Sequence, residues 1–366
     1  MNLALPSKSI ESDALASGKD CRASLVIVSY NAKPKLLACL DSVLNALPES
    51  IEVIVVDNAS SEGNADAIAT AFPDIKLICS DTNLGFAAGC NLGARHATGG
   101  YLVFLNPDTI VESGWLDALL APFETDATIG LTTARIVLMA EPDLLNTCGC
   151  NIHLTGLTLC RGMGQPSDTF LEVEDVGAIS GAAFAIRREL FDMLGGCDET
   201  MFLYLEDTDL SWRARLAGYR TVCAPESCVR HDYQLRITPK KVFWEERNRY
   251  LMLLKSFKWA TLLLLLPAYL LAETITWGFV LLKDRQNFGN KIRAYSWIGS
   301  NWRVIMRKRK TTQALRVEPD RTLLESTGSK IDFDQAAGGV VATVARFVFN
   351  PLFFALRRIV IALIRW

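Results

Sequence analysis

Apolar residues switch between two spacings along the first part of the chain. Ser24–Tyr30 (SLVIVSY) is a continuous β-branched run, which predicts a strand buried on both faces. Lys33–Ala46 follows with Leu36, Leu37, Leu40, Val43 and Leu44 at helical spacing. Ile51–Asp57 (IEVIVVD) predicts a second buried strand, Ala65–Ala71 a short helix and Ile75–Cys79 a third strand. Ala87–Ala97 reads as a helix and Tyr101–Leu105 (YLVFL) as a fourth strand. This β-α-β-α alternation predicts a mostly parallel, Rossmann-like sheet with helices on both faces. Residues 125–190 are strand-like and glycine-rich, consistent with a partly antiparallel extension. Glu206–Ala217 reads as a helix entered through an acidic turn, and Tyr219–Ala224 as a short strand ending near Pro225.

The last third has a different pattern. Trp259–Leu282 is apolar but interrupted by Pro267 and Glu273, and only Trp259–Ala272 precedes the acid. Spanning a bilayer takes about 20 apolar residues, so this segment either spans poorly or lies on the surface. Residues 303–316 carry six Arg or Lys and no acid, and 338–366 pair four Arg with mostly apolar residues. That is the pattern of an interfacial helix facing anionic lipid. A soluble helical hairpin packed on the core is the other reading. The chain thus divides into a flexible lead-in at 1–22, an α/β domain at 23–255 and a helical, membrane-associating region at 256–366.

Composition narrows the picture. With half of its 366 residues apolar and 21% charged, the chain is not disordered as a whole. A formal charge of −2 argues against a nucleic-acid partner. The polar first 20 residues read as no signal peptide, so the ten cysteines, with no CxxC pair, are expected as free thiols in a reducing cytoplasm. Cys148, Cys150 and His153 could begin a zinc site. Without an evident fourth ligand they read better as a cysteine-rich strand edge.

Ligands of such sheets bind beyond the carboxyl ends of the strands. Those ends carry Tyr30-Asn31, Asp57-Asn58 and Asn106-Pro107-Asp108. Asp57 can accept from a base imide or a ribose hydroxyl, or simply cap a helix. Asn83–Asn91 (NLGFAAGCN) enters a helix; Gly85 and Gly89 permit close approach to a phosphate, or equally helix–sheet packing with Gly93. The segment is neither a Walker A loop nor GxGxxG. Asp108, with Asn106, offers oxygen ligands to a hard divalent ion, and the imidazole of His231 can complete that shell. Glu206-Asp207-Thr208-Asp209 places acids where a general base could stand, or where acids merely favour a helix N-terminus. Trp212 and Arg213, one turn on, face either the same cleft or the core. Ser180 before Gly181 lacks the spacing of a nucleophile elbow.

The order VIVSYN, VVDNAS, NLGFAAGCN, FLNPDT, ISGAAFAIRR, FLYLEDTDLSWR and a later His resembles the family 2 glycosyltransferases, of the GT-A fold. The resemblance covers about residues 22–255, including Glu246-Arg-Asn-Arg-Tyr250, and is strongest to the rhamnosyltransferase-type branch of bacterial surface-polysaccharide assembly. It implies an inverting transferase that uses a nucleoside-diphosphate sugar, first dTDP-rhamnose, and Mg²⁺ or Mn²⁺. The acceptor would be a lipid-linked or polysaccharide hydroxyl at the cytoplasmic face of the inner membrane. By the same resemblance Asp207 is the catalytic base with Glu206 beside it, and Asp57 contacts the base of the nucleotide. Tyr30, Asn31, Asn83, Gly85, Asn91 and Asn106 line the donor, Asp108 and His231 reach the metal, and Gly181, Trp212 and Arg213 stand near diphosphate or acceptor. Asn106 stands where many relatives have Asp, which removes one negative charge from the metal site. A polyprenyl-phosphate sugar synthase and an inactive membrane-bound scaffold are the competing readings. The absence of a QxxRW-like motif opposes the first, and the intact acids oppose the second.

Overall fold

The computed structural model describes residues 21–47, 50–61, 63–233, 239–332 and 340–366; the lead-in expected at 1–22 falls almost wholly outside them. The strands are β1 (Ala23–Ser29), β2 (Ile51–Asp57), β3 (Lys76–Cys79), β4 (Tyr101–Leu105), β5 (Thr109–Val111), β6 (Ile129–Leu138), β7 (Leu145–Thr147), β8 (Cys150–Ile152), β9 (Thr158–Cys160), β10 (Glu174–Asp175), β11 (Ala183–Arg187) and β12 (Arg220–His231). The helices of the first part are α1 (Lys33–Ala46), α2 (Asn64–Ala71), α3 (Gly85–His96), α4 (Trp115–Thr125), α5 (Arg188–Leu194) and α6 (Glu206–Leu216). Those of the last part are α7 (Pro239–Ser256), α8 (Trp259–Leu264), α9 (Leu266–Lys283), α10 (Phe288–Ser300), α11 (Trp302–Ala314), α12 (Asp320–Glu325) and α13 (Val340–Leu363).

One ten-stranded sheet runs β10-β12-β6-β11-β4-β1-β2-β3, with β5 and β7 added at β12 and β6. β1 pairs in parallel with β2 and β4, and β12 in parallel with β6, while β11 is antiparallel to both β4 and β6. The start of β11 therefore lies beside the carboxyl end of β4, at the edge where the parallel strands β1 and β2 also end. Alternate β1 residues feed opposite cores. Leu25 and Ile27 pack with Leu36, Leu40 and Leu119 of α1 and α4, and Val26 and Val28 pack with Ala87, Cys90 and Leu210 of α3 and α6. Gly89 lies so close to the sheet that a Cβ there would stand 2.6 Å from Val28 Cγ1. Helix–sheet packing thus accounts for this glycine of α3.

One expectation is corrected. Pro225 does not end the last strand: a register shift between Ala224 and Cys228 absorbs it, and β12 continues to His231. Cys148, Cys150 and His153 do not converge. Cys148 hydrogen-bonds Cys223, Cys150 pairs with Cys160 across β8–β9, and His153 contacts Thr155 and the Phe353 ring.

The last third is folded onto the first. A single apolar cluster joins Ile152, Leu154, Trp212 and Leu216 to Leu253, Phe257, Ala272, Ile305, Phe353 and Val360. The apolar run from Trp259 breaks at Leu265, ahead of Pro267 in the first turn of α9. Glu273 is an internal counter-ion: it pairs with Arg249 at 2.5 Å and Lys291 at 3.1 Å, and both Tyr250 and Tyr295 donate to it. Among the described residues no helix is long and apolar enough to cross a membrane. The basic run is likewise partly internal. Lys308 pairs with Asp198 at 2.6 Å, Arg309 donates to the Leu254 and Phe257 carbonyls, and Arg316 pairs with Asp320 at 2.7 Å.

Candidate active site

The strand ends are tied to one another by short polar side chains. Asn31, at φ +50°, accepts at Oδ1 from the Ser61 N–H at 2.9 Å and donates its own N–H to Ser60 Oγ at 2.9 Å. This joins the loop after β1 to the loop after β2. Tyr30 beside it is exposed, and Asp57 is buried at the end of β2. The next residue, Asn58, fixes the loop before α3. It accepts from the Leu84 N–H at 2.8 Å and donates to Asn83 Oδ1 and the Gly85 carbonyl. Asn83 in turn accepts from the Gly85 N–H at 2.9 Å.

Beyond β4, the Asn106 N–H donates to the Ala182 carbonyl at 2.9 Å, which locks that turn to the segment leading into β11. Asp108 Oδ1 stands 3.3 Å from His231 Nε2, and Nδ1 of the same ring donates to Asn146 Oδ1 at 2.9 Å. Asn146 therefore fixes the ring so that Nε2 faces the carboxylate. Lys35 of α1 lies 3.9 Å from Asp108 and 2.8 Å from Asp232. Burial pushes the Asp108 carboxyl up, but the His231 hydrogen bond and the nearby charges of His231 and Lys35 outweigh it and hold it low.

At the start of α6, Asp207 Oδ2 accepts from the Gly181 N–H at 2.8 Å, and Oδ1 accepts from the Thr208 N–H at 2.6 Å. A Cβ on Gly181 would meet Asp207 Oδ2 at 3.2 Å, so glycine suits this approach. Burial raises the Asp207 carboxyl despite these bonds. Glu206 is buried, its Oε2 has no hydrogen-bond partner, and burial followed by the Asp207 charge pushes it up to about 8. Among the described residues, the non-glycine residues at positive φ are Asn31, Ala59, Phe202, Tyr204 and Leu205. All sit in the loops that build this edge, two after β1 and β2 and three immediately before Glu206. Such strain persists where surrounding contacts over-determine the backbone, commonly at functional sites.

The arrangement is an edge with a hydrogen-bonded loop on one side, an Asp–His pair on the other and a buried acid pair at a helix start. Residues 24–194 match the family described as glycosyl transferase family 2. The chain carries a glycosyl transferase family 2 domain. The N-acetylglucosaminyl-diphospho-decaprenol L-rhamnosyltransferase of Mycobacterium tuberculosis is 28% identical over 234 residues, 57% of this chain and 75% of that protein. The pre-mycofactocin glycosyltransferase of the same organism is 32% identical over 188 residues, 51% of this chain but only 38% of its own length. S. aureus TarS 1-349 in complex with UDP-GlcNAc superposes with a TM-score of 0.53 at 17% identity, covering 92% of this chain and 90% of that one. GalNAc-T7 with UDP, GalNAc and Mn²⁺ gives the same score at 22% identity over 63% of this chain and 47% of that one. These likenesses show the GT-A α/β fold.

The structure places Asn31, Asp57, Asn83, Asn106, Asp108 and Gly181 of the matched segment, and Glu206, Asp207 and His231 beyond it, in the loops and strand ends at the sheet edge. Three expected residues stand apart. Asn91 is spent on the Cys197 backbone, accepting from its N–H at 2.8 Å and donating to its carbonyl at 2.9 Å. Trp212 is fully buried edge-on to Phe257. Arg213 is buried against Asp209 at 2.8 Å and the Leu194 carbonyl. Gly85 packs under Phe202, whose carbonyl accepts from the Ala87 N–H. Sequence reasoning gave no role to Asn58, Asn146, Lys35, Arg247 or Asn248. Only Asn58, next to Asp57, and the pair inside Glu246–Tyr250 lay in segments already singled out.

A carboxyl raised by folding stabilises the native state below its unfolded value and loses that contribution as pH rises through its folded value. For Glu206 the window runs from about 4.5 to about 8, and Asp207 acts in the same direction. Urea midpoints should therefore fall between pH 5 and 8 more steeply in the wild type than in Glu206→Gln. Equal slopes would contradict the buried, proton-holding acid.

Proposed function

We propose that the chain transfers a sugar from a nucleoside diphosphate sugar to an acceptor hydroxyl, inverting the anomeric carbon. The observation that carries this reading is Asp207, held at the mouth of the sheet edge by Gly181 and Thr208 with its carboxyl raised by burial. In this role Asp207 takes the proton as the acceptor oxygen attacks the anomeric carbon and the bond to the diphosphate breaks. No covalent enzyme intermediate forms. A raised acid is the stronger base, and the N-terminus of α6 favours its charged form. Glu206, protonated beside it, keeps a second negative charge out of the site. Asp57, Asn31, Asn83 and the loop pinned by Asn58 would receive the nucleoside, with Tyr30 at the rim.

Asp108 and His231 would hold a divalent cation, Mg²⁺ or Mn²⁺. Among the described residues no group of three His, Cys, Asp or Glu is poised to hold a metal. A hard divalent ion can be held by as few as one or two protein ligands. Such an ion, when bound, supplies positive charge to the diphosphate.

The first donor to test is dTDP-rhamnose, and the first acceptor a lipid-linked sugar diphosphate. The relative named as an L-rhamnosyltransferase on a diphospho-decaprenol substrate supports the sugar and the class of acceptor. Residues 23–255 would carry the chemistry and 256–366 the contact with a membrane surface at its cytoplasmic face. Exposed Leu263, Leu266 and Leu270 on α8–α9, and Leu352, Phe354 and Ile359 on α13 with Arg346, Arg358 and Arg365 nearby in the chain, support an interfacial contact.

Asp207→Asn should lower transfer about 10²–10⁴-fold while nucleotide binding is retained. Wild-type turnover in this variant would overturn the base assignment. The double variant Phe354→Glu, Ile359→Glu should co-sediment less with phosphatidylglycerol vesicles than the wild type. Equal sedimentation would refute the membrane contact of α13.

A further inference from the structure

The loop that delivers Glu206 and Asp207 is held by α7, further along the chain. Phe202, Tyr204 and Leu205 take positive φ values of +63°, +69° and +66°, which side chains with a Cβ disfavour. Three carbonyls of this loop converge on one amide. Asn248 Nδ2, fully buried on α7, lies 3.0 Å from the Met201 oxygen, 3.0 Å from Leu203 and 2.7 Å from Tyr204. An amide NH₂ has two hydrogens, so one of them is shared. The orientation of this amide is set by Arg247, whose Nε donates to Asn248 Oδ1 at 2.9 Å while its Nη2 holds the Thr200 and Met201 carbonyls. Trp244, one turn earlier, stacks on Phe202 with ring centroids 5.0 Å apart.

We propose that Asn248 is a positioning residue for Asp207: by holding the carbonyls of 201–204 it keeps the positive-φ turn that sets the Asp207 carboxylate on the Gly181 N–H. The inference rests on the reading of Asp207 as the general base. Asn248 touches no reacting atom on this account. Its effect passes through the backbone of 201–206, which has no glycine to adopt this turn without strain.

The test uses the full chain with Asn248→Ala, the milder Asn248→Ser, which keeps a single donor, and Leu205→Gly in the alanine background. Amide hydrogen exchange is read first. Exchange over 202–208 should accelerate in the alanine and serine variants and stay at wild-type rates in the β1–β4 strands. In transfer assays kcat should fall about 10²-fold with the donor KM within about twofold, as a misplaced catalytic group predicts. The acid limb of kcat should move to higher pH, because a loosened Gly181 bond no longer stabilises the charged carboxylate. Leu205→Gly, which removes the cost of one left-handed residue, should restore kcat about tenfold in the alanine background.

Unchanged exchange over 202–208 overturns the inference whether or not the chain transfers sugar. Exchange raised throughout the chain, with no rescue by glycine, also overturns it and leaves Asn248 a general stabilising residue. A wild type that transfers no sugar sinks the base assignment instead, and the exchange result still decides whether Asn248 holds the turn.

Discussion

The structure turns on placing ionisable groups in a region shielded from water. The α7 stretch Glu246–Arg249 is buried, and a buried charge left unpaired costs several kcal/mol. Glu246 and Arg249 are therefore matched by Glu273 of α9 and by Lys291 and Tyr295 of α10. Burial pushes the Glu246 carboxyl up, but Arg249 and Lys291 hold it at about 2, so this carboxylate stays ionised at neutral pH. A second buried set, Asp198, Asp209, Lys255 and Arg213, is completed by Lys308 of α11. The helices after residue 255 are thus counter-ions and cover for the element that grips the Asp207 loop.

That dependence links the two parts of the chain. The part up to the end of β12 supplies the sheet edge, the loop pinned by Asn58 and the Asp108–His231 pair. The segments beyond it supply the grip on the turn leading to Asp207. Changes deep in α9 or α11 can therefore reach the site without touching a ligand, because they alter the charges around α7. The same helices leave apolar side chains exposed on α8–α9 and α13, apart from the buried ion pairs.

Sequence pattern located β1–β4, α1 and α6 within a few residues, because buried parallel strands and amphipathic helices have distinct periods. It also located the edge residues, since a parallel sheet leaves little choice of where polar strand ends point. It failed where a residue's partner is remote in the chain. Asn91 and Arg213 looked available because nothing local shows that the Cys197 backbone and Asp209 occupy them. Glu273 read only as a break in an apolar segment and Lys308 only as part of a basic run, because their partners, Arg249 and Asp198, lie in other elements. Pro225 looked like a strand end because the register shift that absorbs it is set by pairing with β6. The positive-φ turn at 202–205 was hidden because its residues are aromatic or aliphatic rather than glycine or asparagine.

In the function proposed, this edge receives a nucleoside diphosphate whose negative charge is met beside Asp108 and His231. Calorimetric titration of the full chain with dTDP, UDP and GDP, each with and without Mn²⁺, tests it most directly. The account predicts binding of dTDP in preference to UDP and GDP, strengthened by Mn²⁺ and losing that Mn²⁺ dependence in Asp108→Ala. A preference for UDP or GDP would keep the site and replace the donor. No binding of any of the three by folded protein would contradict the account.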